Sequence, residues 1–430
     1  MRCLGLLEKL FAKSKRSVSM LLIRDYASGK IILDRDLTGC EKLYGAPWLL
    51  LHRADYMDVL LDEAGRLGVQ IKLGCEVQHV ECHVPRVELV DGTIYHAHVV
   101  VGCDGNTLQT DTLKANLVAL PANTVSLPLQ GIHSTVRGFI HPSVKAARTG
   151  GYAYRAVLTR SQLCSPSLRE LVSSRGTIQC WLGPGANAVL YPLQDGKLFN
   201  LVIPVADAAF NRSYDQDRSL SSMLDHLCGW DPVLTQVLKS APGLARFPMY
   251  EVARLPHWSQ GSVTLVGDAA HPMLPHLAQG AAVSVEDGYI VGTLLGRLSQ
   301  HIADASAPSS VRARVSTVFA SYEASQYERA ARVVSSSRLM GTLDHLAPGP
   351  HQRARDAEFA SYDAEETVSA IPSIDARFNK ELLGRKVDQV VEGQVSALMA
   401  NGKLGCRVNA DASCWESQRP ASQSGASSRS

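Results

Sequence analysis

The segment Val263-Thr264-Leu265-Val266-Gly267-Asp268-Ala269-Ala270-His271-Pro272, followed by Pro275 and by Gln279-Gly280-Ala281-Ala282, leaves few folds open to this chain. Its β-branched, apolar start predicts a short buried strand. The strand ends at Gly267, where the backbone is free to turn, and Asp268 then offers a carboxylate that can accept from a sugar hydroxyl. The small residues from Gly280 onward open a helix whose first amides carry partial positive charge, a seat for a phosphate. Strand, turn and helix together predict an α/β protein that holds a ligand with a polar tail.

Bulk properties narrow the partner. The chain has 430 residues, 45% of them hydrophobic, enough for a sizeable core in more than one layer. Its net charge is +2 with Lys and Arg scattered along the sequence, which excludes a nucleic-acid stripe and favours a small, largely apolar ligand. Ten cysteines lie far apart, without a C-x-x-C pair or a His cluster at metal spacing, so neither a metal site nor a disulfide framework is expected. A reducing compartment, the cytoplasm, follows as the expected location. Glu8 and Lys9 interrupt the apolar run Leu4 to Leu7, so no signal peptide is expected. The most apolar helix, Ala281 to Leu295, is broken by Glu286 and Asp287, so no membrane span is expected. Residues 406–430 are rich in Ser, Ala and Gln and read as a disordered tail. Nothing in the sequence sets an oligomeric state.

The stretch GDAAHPMLPHLAQGAA resembles the second flavin fingerprint of the single-component FAD-dependent aromatic hydroxylases, the group of salicylate hydroxylase and para-hydroxybenzoate hydroxylase. The resemblance implies that Gly267 and Asp268 hold the ribityl chain of FAD. It also implies that the helix from Gly280 and Ala281 points at the pyrophosphate and flavin ring, and that Pro275 and His271 shape the flavin edge, His271 as a structural residue rather than a base. The fold class it implies is α/β (α+β): an FAD-binding domain over residues 1–150, an antiparallel-sheet substrate domain over 151–255, a second FAD-binding part over 256–300, and C-terminal helices over 301–405.

The first half of the chain is read against that plan. Residues Met1 to Leu10 have helical spacing, and Val18 to Asp25 with Ile31 to Asp34 alternate as a hairpin within the flavin domain. Leu51-His52-Arg53 opens a helix through Ala64, and Val69 to Leu73 reads as a short strand. The resemblance places Arg53 on FAD, where a guanidinium can fork onto phosphate or ribityl oxygens as a Lys cannot. Val87 to Val90 and Thr93 to Tyr95 read as a second hairpin, and Ala97 to Val101 as a buried strand.

At Asp104-Gly105 the chain departs from the family pattern. Joining Gly105 to Ile132 restores Asp-Gly-Ile-His-Ser-Thr-Val-Arg, ending at Arg137, in which the family's Asp and Arg serve flavin and pyridine-nucleotide binding. Residues 106–130 therefore read as an insertion: either the translation of an unspliced short intron in a fungal gene, or a real surface insertion beside the cofactor, which loop-closure entropy would tolerate. The Gly-x-Gly-x-x-Gly unit that binds the ADP half of FAD is also expected and not found before Leu4, so the chain reads as starting after it. Losing three charge-assisted contacts of about 1.5 to 3 kcal/mol each would weaken FAD binding by about three to six powers of ten. It would also expose an edge of the central sheet.

From Gly151 onward, Tyr152 to Thr159, Ile178 to Leu182, Ala188 to Pro192 and Leu198 to Pro204 alternate as antiparallel strands. The resemblance makes Arg155 and Tyr191 the catalytic candidates: a buried cation beside a phenol hydroxyl stabilises the electron-rich phenolate. The implied activity is hydroxylation of a phenolic or polyketide-derived aromatic in secondary metabolism, with FAD as cofactor, NAD(P)H as co-substrate and O2 as the oxygen source. The alternative is an impaired remnant, or a misassembled sequence, of the same family with weak or no FAD binding.

Overall fold

The computed structural model describes residues 1–104, 132–173, 176–206, 219–302 and 308–402; the expected insertion at 106–130 and the expected tail at 406–430 lie outside the described residues. The chain begins with α1 (Leu7–Ser14), β1 (Met20–Asp25), β2 (Ile31–Asp36), α2 (Cys40–Tyr44) and α3 (Arg53–Arg66). Next come β3 (Val77–Glu81), β4 (Arg86–Leu89), β5 (Ile94–His96), β6 (Val100–Gly102) and α4 (Thr135–Ile140). The middle third holds β7 (Ala146–Thr159), α5 (Pro166–Leu171), β8 (Thr177–Gly183), β9 (Ala186–Leu193), β10 (Leu198–Val205), α6 (Ser219–His226), α7 (Pro232–Lys239) and β11 (Ala245–Val252). After β12 (Ser259–Gln260) and β13 (Val263–Leu265), the chain is helical: α8 (Gly280–Ile302), α9 (Pro308–Asp344), α10 (Pro350–Ala360), α11 (Ala376–Leu383) and α12 (Val387–Ala400).

Local chemistry sets several helix starts. Ser134, Ser165, Asp231 and Asp375 cap α4, α5, α7 and α11 by accepting a backbone N–H with the side-chain oxygen, and Pro166 and Pro232 stand at first-turn positions that need no donor.

The large sheet has the order β11-β7-β10-β9-β8-β1-β2, antiparallel except where β1 runs parallel to β8. Its strands cover the four runs expected from the sequence, and β7 begins earlier, at Ala146. One face is closed by α5, α6 and α7 over Leu158, Trp181, Leu190 and Leu201. The other face meets α9 and α10 through Ile23, Cys180, Met340 and Phe359.

Three readings of the first half change. The hairpin β1-β2 forms, but it extends the large sheet, with Met20 opposite Thr177 and Asp25 opposite Leu182. The cause is β8, buried at all seven positions, which needs a strand on each side. Residues Val69 to Leu73 form no strand: Val69 is 55% exposed, Ile71 47% and Leu73 80%. An alternating apolar run signals a strand only where a neighbour supplies hydrogen bonds, and none does so among the described residues. The expected buried strand Ala97 to Val101 shrinks to β6, where Gly102 is buried but Val101 is 36% exposed. Among the described residues β6 pairs only with β13, in parallel, in the small sheet β12-β13-β6.

The 37-residue α9 joins the two sheets. Near its start Ser316 Oγ donates to the Gly261 carbonyl beside β13, and just beyond its end His345 Nε2 meets Asn187 Oδ1 on β9 at 2.8 Å. No helix among the described residues is long and apolar enough to cross a membrane.

Candidate active site

The turn after β13 is built as its sequence requires. Val266 N–H makes the last bond to the Gly102 carbonyl, and the chain then reverses through Gly267 at φ +59°, a left-handed position suited to glycine. A Cβ there would also lie 2.7 Å from Ser284 Oγ on α8, so helix and turn approach as closely as glycine allows. Below the turn, fully buried Asp287 accepts from Gly267 N–H at 2.8 Å and meets His271 Nε2 at 2.6 Å with one oxygen; the other accepts from Gln326 Nε2 at 2.7 Å.

Asp268 faces the opposite way, into the cleft. Its Oδ1 lies 3.9 Å from the position a Cβ on Gly280 would take, beside the start of α8, and Ala281 follows in the same turn. Burial raises the Asp268 pKa, while His271, Arg53 and Arg137 draw it down. Arg53 is the first residue of α3, and burial lowers its pKa against the pull of Asp268. Pro275 opens a single helical turn over Pro275–Leu277, and Ala278 at φ +53° redirects the chain into α8. Arg53, Asp268, Gly280 and Ala281 thus converge on one cleft.

The two halves of the split motif meet. Asp104 accepts from Ser134 Oγ at 2.6 Å and from Val136 N–H at 3.0 Å, so it holds the first turn of α4. Arg137 is only 3% exposed and donates to the carbonyls of Ala269, at 3.0 Å, of Asp268, at 3.4 Å, and of Ile132. Both charged side chains engage the protein's own groups and brace the Gly267–Asp268 turn from the flank.

Across the cleft lies the large sheet. The register sets Arg155 opposite Val202 and Val202 opposite Val189; the next row is Val157, Asn200 and Tyr191. These residues share one face. Val157 is 38% exposed although β7 is an interior strand, which marks a chamber above the sheet. Arg155 borders it with a buried Nε that has no hydrogen-bond partner among the described residues. Burial lowers the Arg155 pKa, Tyr191 supports its charge and Arg53 opposes it. Burial raises Tyr191, with Arg155 and a hydrogen bond from Asn200 opposing. Gln194 Nε2 donates to Asp55 Oδ2 at 3.0 Å, tying the end of β9 to the first turn of α3 and hence Tyr191 to Arg53. Charge coupling runs from Tyr191 to Arg155, from Arg155 to Arg53 and from Arg53 to Asp268, so these four side chains stand near one another.

Two groups escaped sequence reasoning. Asp287 carried a signal, an acid on the buried stripe Val283, Asp287, Ile290, Val291 and Leu294 of an apolar helix. The second group is His276, Asp344 and His345, where His276 Nδ1 lies 3.9 Å from Asp344 Oδ2. Burial pushes Asp344 up to about 7, His276 down to about 4 and His345 down to about 3.

This arrangement can be matched with known proteins. The FAD binding domain family matches residues 130–318. FAD-dependent monooxygenase OpS4 of Beauveria bassiana (strain ARSEF 2860) is 28% identical over 370 residues, 84% of this chain and 78% of that protein. The chain is similar to the FAD-dependent monooxygenases and shares an FAD binding domain with that family. The 3-hydroxybenzoate 6-hydroxylase 1 of Aquipseudomonas alcaligenes is 27% identical over 312 residues, 72% of this chain and 68% of that one. The fold of this monooxygenase is that of a salicylate hydroxylase solved with its substrate, at a TM-score of 0.65 and 21% identity over 91% of this chain and 87% of that chain.

The residues present fit the family's cofactor. The Asp268 carboxylate meets its neighbours only through charge, with no hydrogen bond among the described residues, so both oxygens are available to hydroxyls. Gly280 leaves space at the start of α8, and Arg53 supplies a cation at the mouth of the cleft.

Proposed function

We propose that this monooxygenase hydroxylates a phenolic or polyketide-derived aromatic in secondary metabolism, with NAD(P)H as reductant and O2 as the source of the inserted oxygen. The observation that carries the substrate reading is the Arg155 guanidinium, whose buried Nε lacks a partner among the described residues at the edge of the chamber. An unpaired buried donor of this kind is costly unless a ligand satisfies it, and an anionic ring oxygen is the chemistry that does so.

FAD, when bound, supplies the electron transfer and the activation of oxygen. The chain's residues bind and orient. Asp268 accepts from hydroxyls, the first amides of α8 and Arg53 face phosphate, and Gly267 lets the backbone approach closely. Asp104 and Arg137 hold the turn rather than the ligand. Pro275 shapes the ring edge. Arg155 holds the substrate oxygen as the anion, Tyr191 orients it by hydrogen bond, and the valines Val157, Val189 and Val202 exclude water beside the ring. The enzyme is assigned to the cytoplasm, supported by free thiols at every described cysteine, and to small-molecule rather than nucleic-acid partners.

The test begins with the visible spectrum of the purified, desalted chain, with and without added FAD. A flavin spectrum, phenol-stimulated oxidation of NAD(P)H and a product heavier by one oxygen atom are expected. A chain that stays colourless in excess FAD would overturn the proposal and leave the impaired remnant standing.

A further inference from the structure

Asp287 joins three groups around the cofactor turn. Its side chain is 0% exposed, and a carboxylate with no solvent must be matched by donors or cations. Its Oδ2 takes the Gly267 amide at 2.8 Å and the His271 ring at 2.6 Å, and its Oδ1 takes the Gln326 amide at 2.7 Å. The Gly267 amide is the first after β13 to leave the sheet ladder, because Val266 still bonds to Gly102. The carboxylate therefore takes the first amide that the ladder releases.

His271 is the second half of the device. Its ring packs on Trp258 at 5.1 Å between centroids, and its buried Nδ1 meets no side chain by hydrogen bond among the described residues. The charged groups that face it are Asp287 from α8 and Asp268 from its own turn, and Tyr322 of α9 closes the same space, with its hydroxyl at the Leu265 carbonyl. Burial favours the neutral ring, but the two carboxylates outweigh it and His271 is raised above its ordinary value. Behind Asp287, Gln326 also receives Arg385, and Glu286, the preceding residue on α8, pairs with Arg329 at 2.7 Å and Arg385 at 2.9 Å. The turn is thereby tied to α9 and to the segment after α11.

We infer that Asp287 is a positioning residue for cofactor binding: it clamps the Gly267 amide and the His271 ring from below, and so aims the Asp268 carboxylate into the cleft. This rests on the reading that the turn receives FAD. Asp287 touches no ligand itself and acts through Gly267, His271 and Asp268.

The test compares the full chain with Asp287→Asn, which keeps the size of the side chain and removes its charge. Three measurements are made: the FAD dissociation constant by quenching of flavin fluorescence, the protonation of the 15N-labelled His271 ring, and hydrogen exchange at the Gly267 amide without FAD. The expected result is a dissociation constant raised about tenfold to a hundredfold, a His271 ring that titrates at lower pH than in the parent chain, and faster exchange at Gly267. A residue that merely stabilised the fold would lower the melting temperature and leave the affinity of the folded protein and the ring signature unmoved, and that outcome overturns the proposal. If Asp287→Asn does not fold, His271→Gln replaces it, with the same weakening expected; an unchanged constant again overturns the clamp. If the parent chain takes no FAD, the functional reading fails by itself. Exchange at Gly267 then still decides, faster in the variant if Asp287 holds the turn and unchanged if it does not.

Discussion

In the large sheet β8 is buried at all seven of its positions, whereas β5, on the cofactor side of the chain, is exposed at all three. The two halves are built differently. The large sheet closes one face on α5, α6 and α7 and keeps the other for the chamber and α9, so its strands are held from both sides. The cofactor half leaves β6 with one partner among the described residues and leaves Val69, Ile71 and Leu73 in solvent. Resistance to unfolding should therefore be concentrated in the sheet that holds the substrate, while the turn that receives the cofactor depends on a few polar clamps.

The largest effect tests the first half of that contrast. Trp181 is completely buried, and its indole N–H donates at 2.7 Å to Asp231, which also caps α7. Trp181→Ala removes a large side chain and leaves one oxygen of that carboxylate without its donor, so a loss of about 3 to 5 kcal/mol is expected in urea unfolding. A loss below about 1 kcal/mol would break the claim that stability is concentrated there.

The next effect lies where α9 crosses to the large sheet. Asp344 has its pKa raised to about 7, so the folded state prefers its neutral form; its contribution is fully present below about pH 4 and is lost as pH rises through 7. His276 and His345, lowered to about 4 and about 3, act in the other direction, because the folded protein resists charging them and loses stability as pH falls from about 6.5 towards 3. Asp344→Asn should abolish the alkaline loss alone, stabilising the protein by about 4 kcal/mol at pH 8 relative to its effect at pH 4. Equal urea midpoint shifts at both values would show that Asp344 is ionised in the folded state throughout.

A paired experiment sharpens the comparison further by separating the two tasks. Arg155→Lys should lower kcat/KM about a hundredfold, near 2.7 kcal/mol, without changing FAD affinity, because Arg155 stands on the rigid sheet and serves the substrate. Asp268→Ala should weaken FAD about tenfold or more without moving the urea midpoint. If either substitution changed both quantities, the division between a substrate-bearing sheet and a cofactor-bearing turn would fail.

The same contrast explains how much the sequence alone could tell. The segment from Val263 to Ala282 was legible because each feature is local: apolar strand, glycine turn, small-residue helix start. The strands from Tyr152 to Pro204 were legible for the same reason, their alternation needing no knowledge of their neighbours. The place of β1 and β2 was not, since joining them to β8 spans more than 150 residues of sequence and no local pattern encodes a parallel partner. Val69 to Leu73 misled in the opposite sense: a period of two states which side chains want burial and is silent on whether a neighbouring strand is there. Arg155 and Tyr191 could be named singly, but their nearness to Arg53 emerges only in the fold, where Gln194 after β9 also bonds to Asp55 on α3. Asp287 looked like a charge interrupting an apolar helix, and only the fold reveals the amide, ring and glutamine that it joins.

The smallest expected effect tests the open half of the comparison. Ile71 is 47% exposed and Val101, on the edge strand β6, is 36% exposed. If their side chains face water, Ile71→Ser and Val101→Thr remove little apolar burial, and each should shift stability by less than about 0.5 kcal/mol. The same changes should reduce self-association at high concentration, measured by light scattering, because an unpaired edge flanked by exposed apolar side chains is a template for pairing with another chain. The two readouts must separate for the contrast to stand. A loss above about 1 kcal/mol from Ile71→Ser would mean that this face is covered in solution, and the cofactor half would then be as closed as the sheet that carries Arg155.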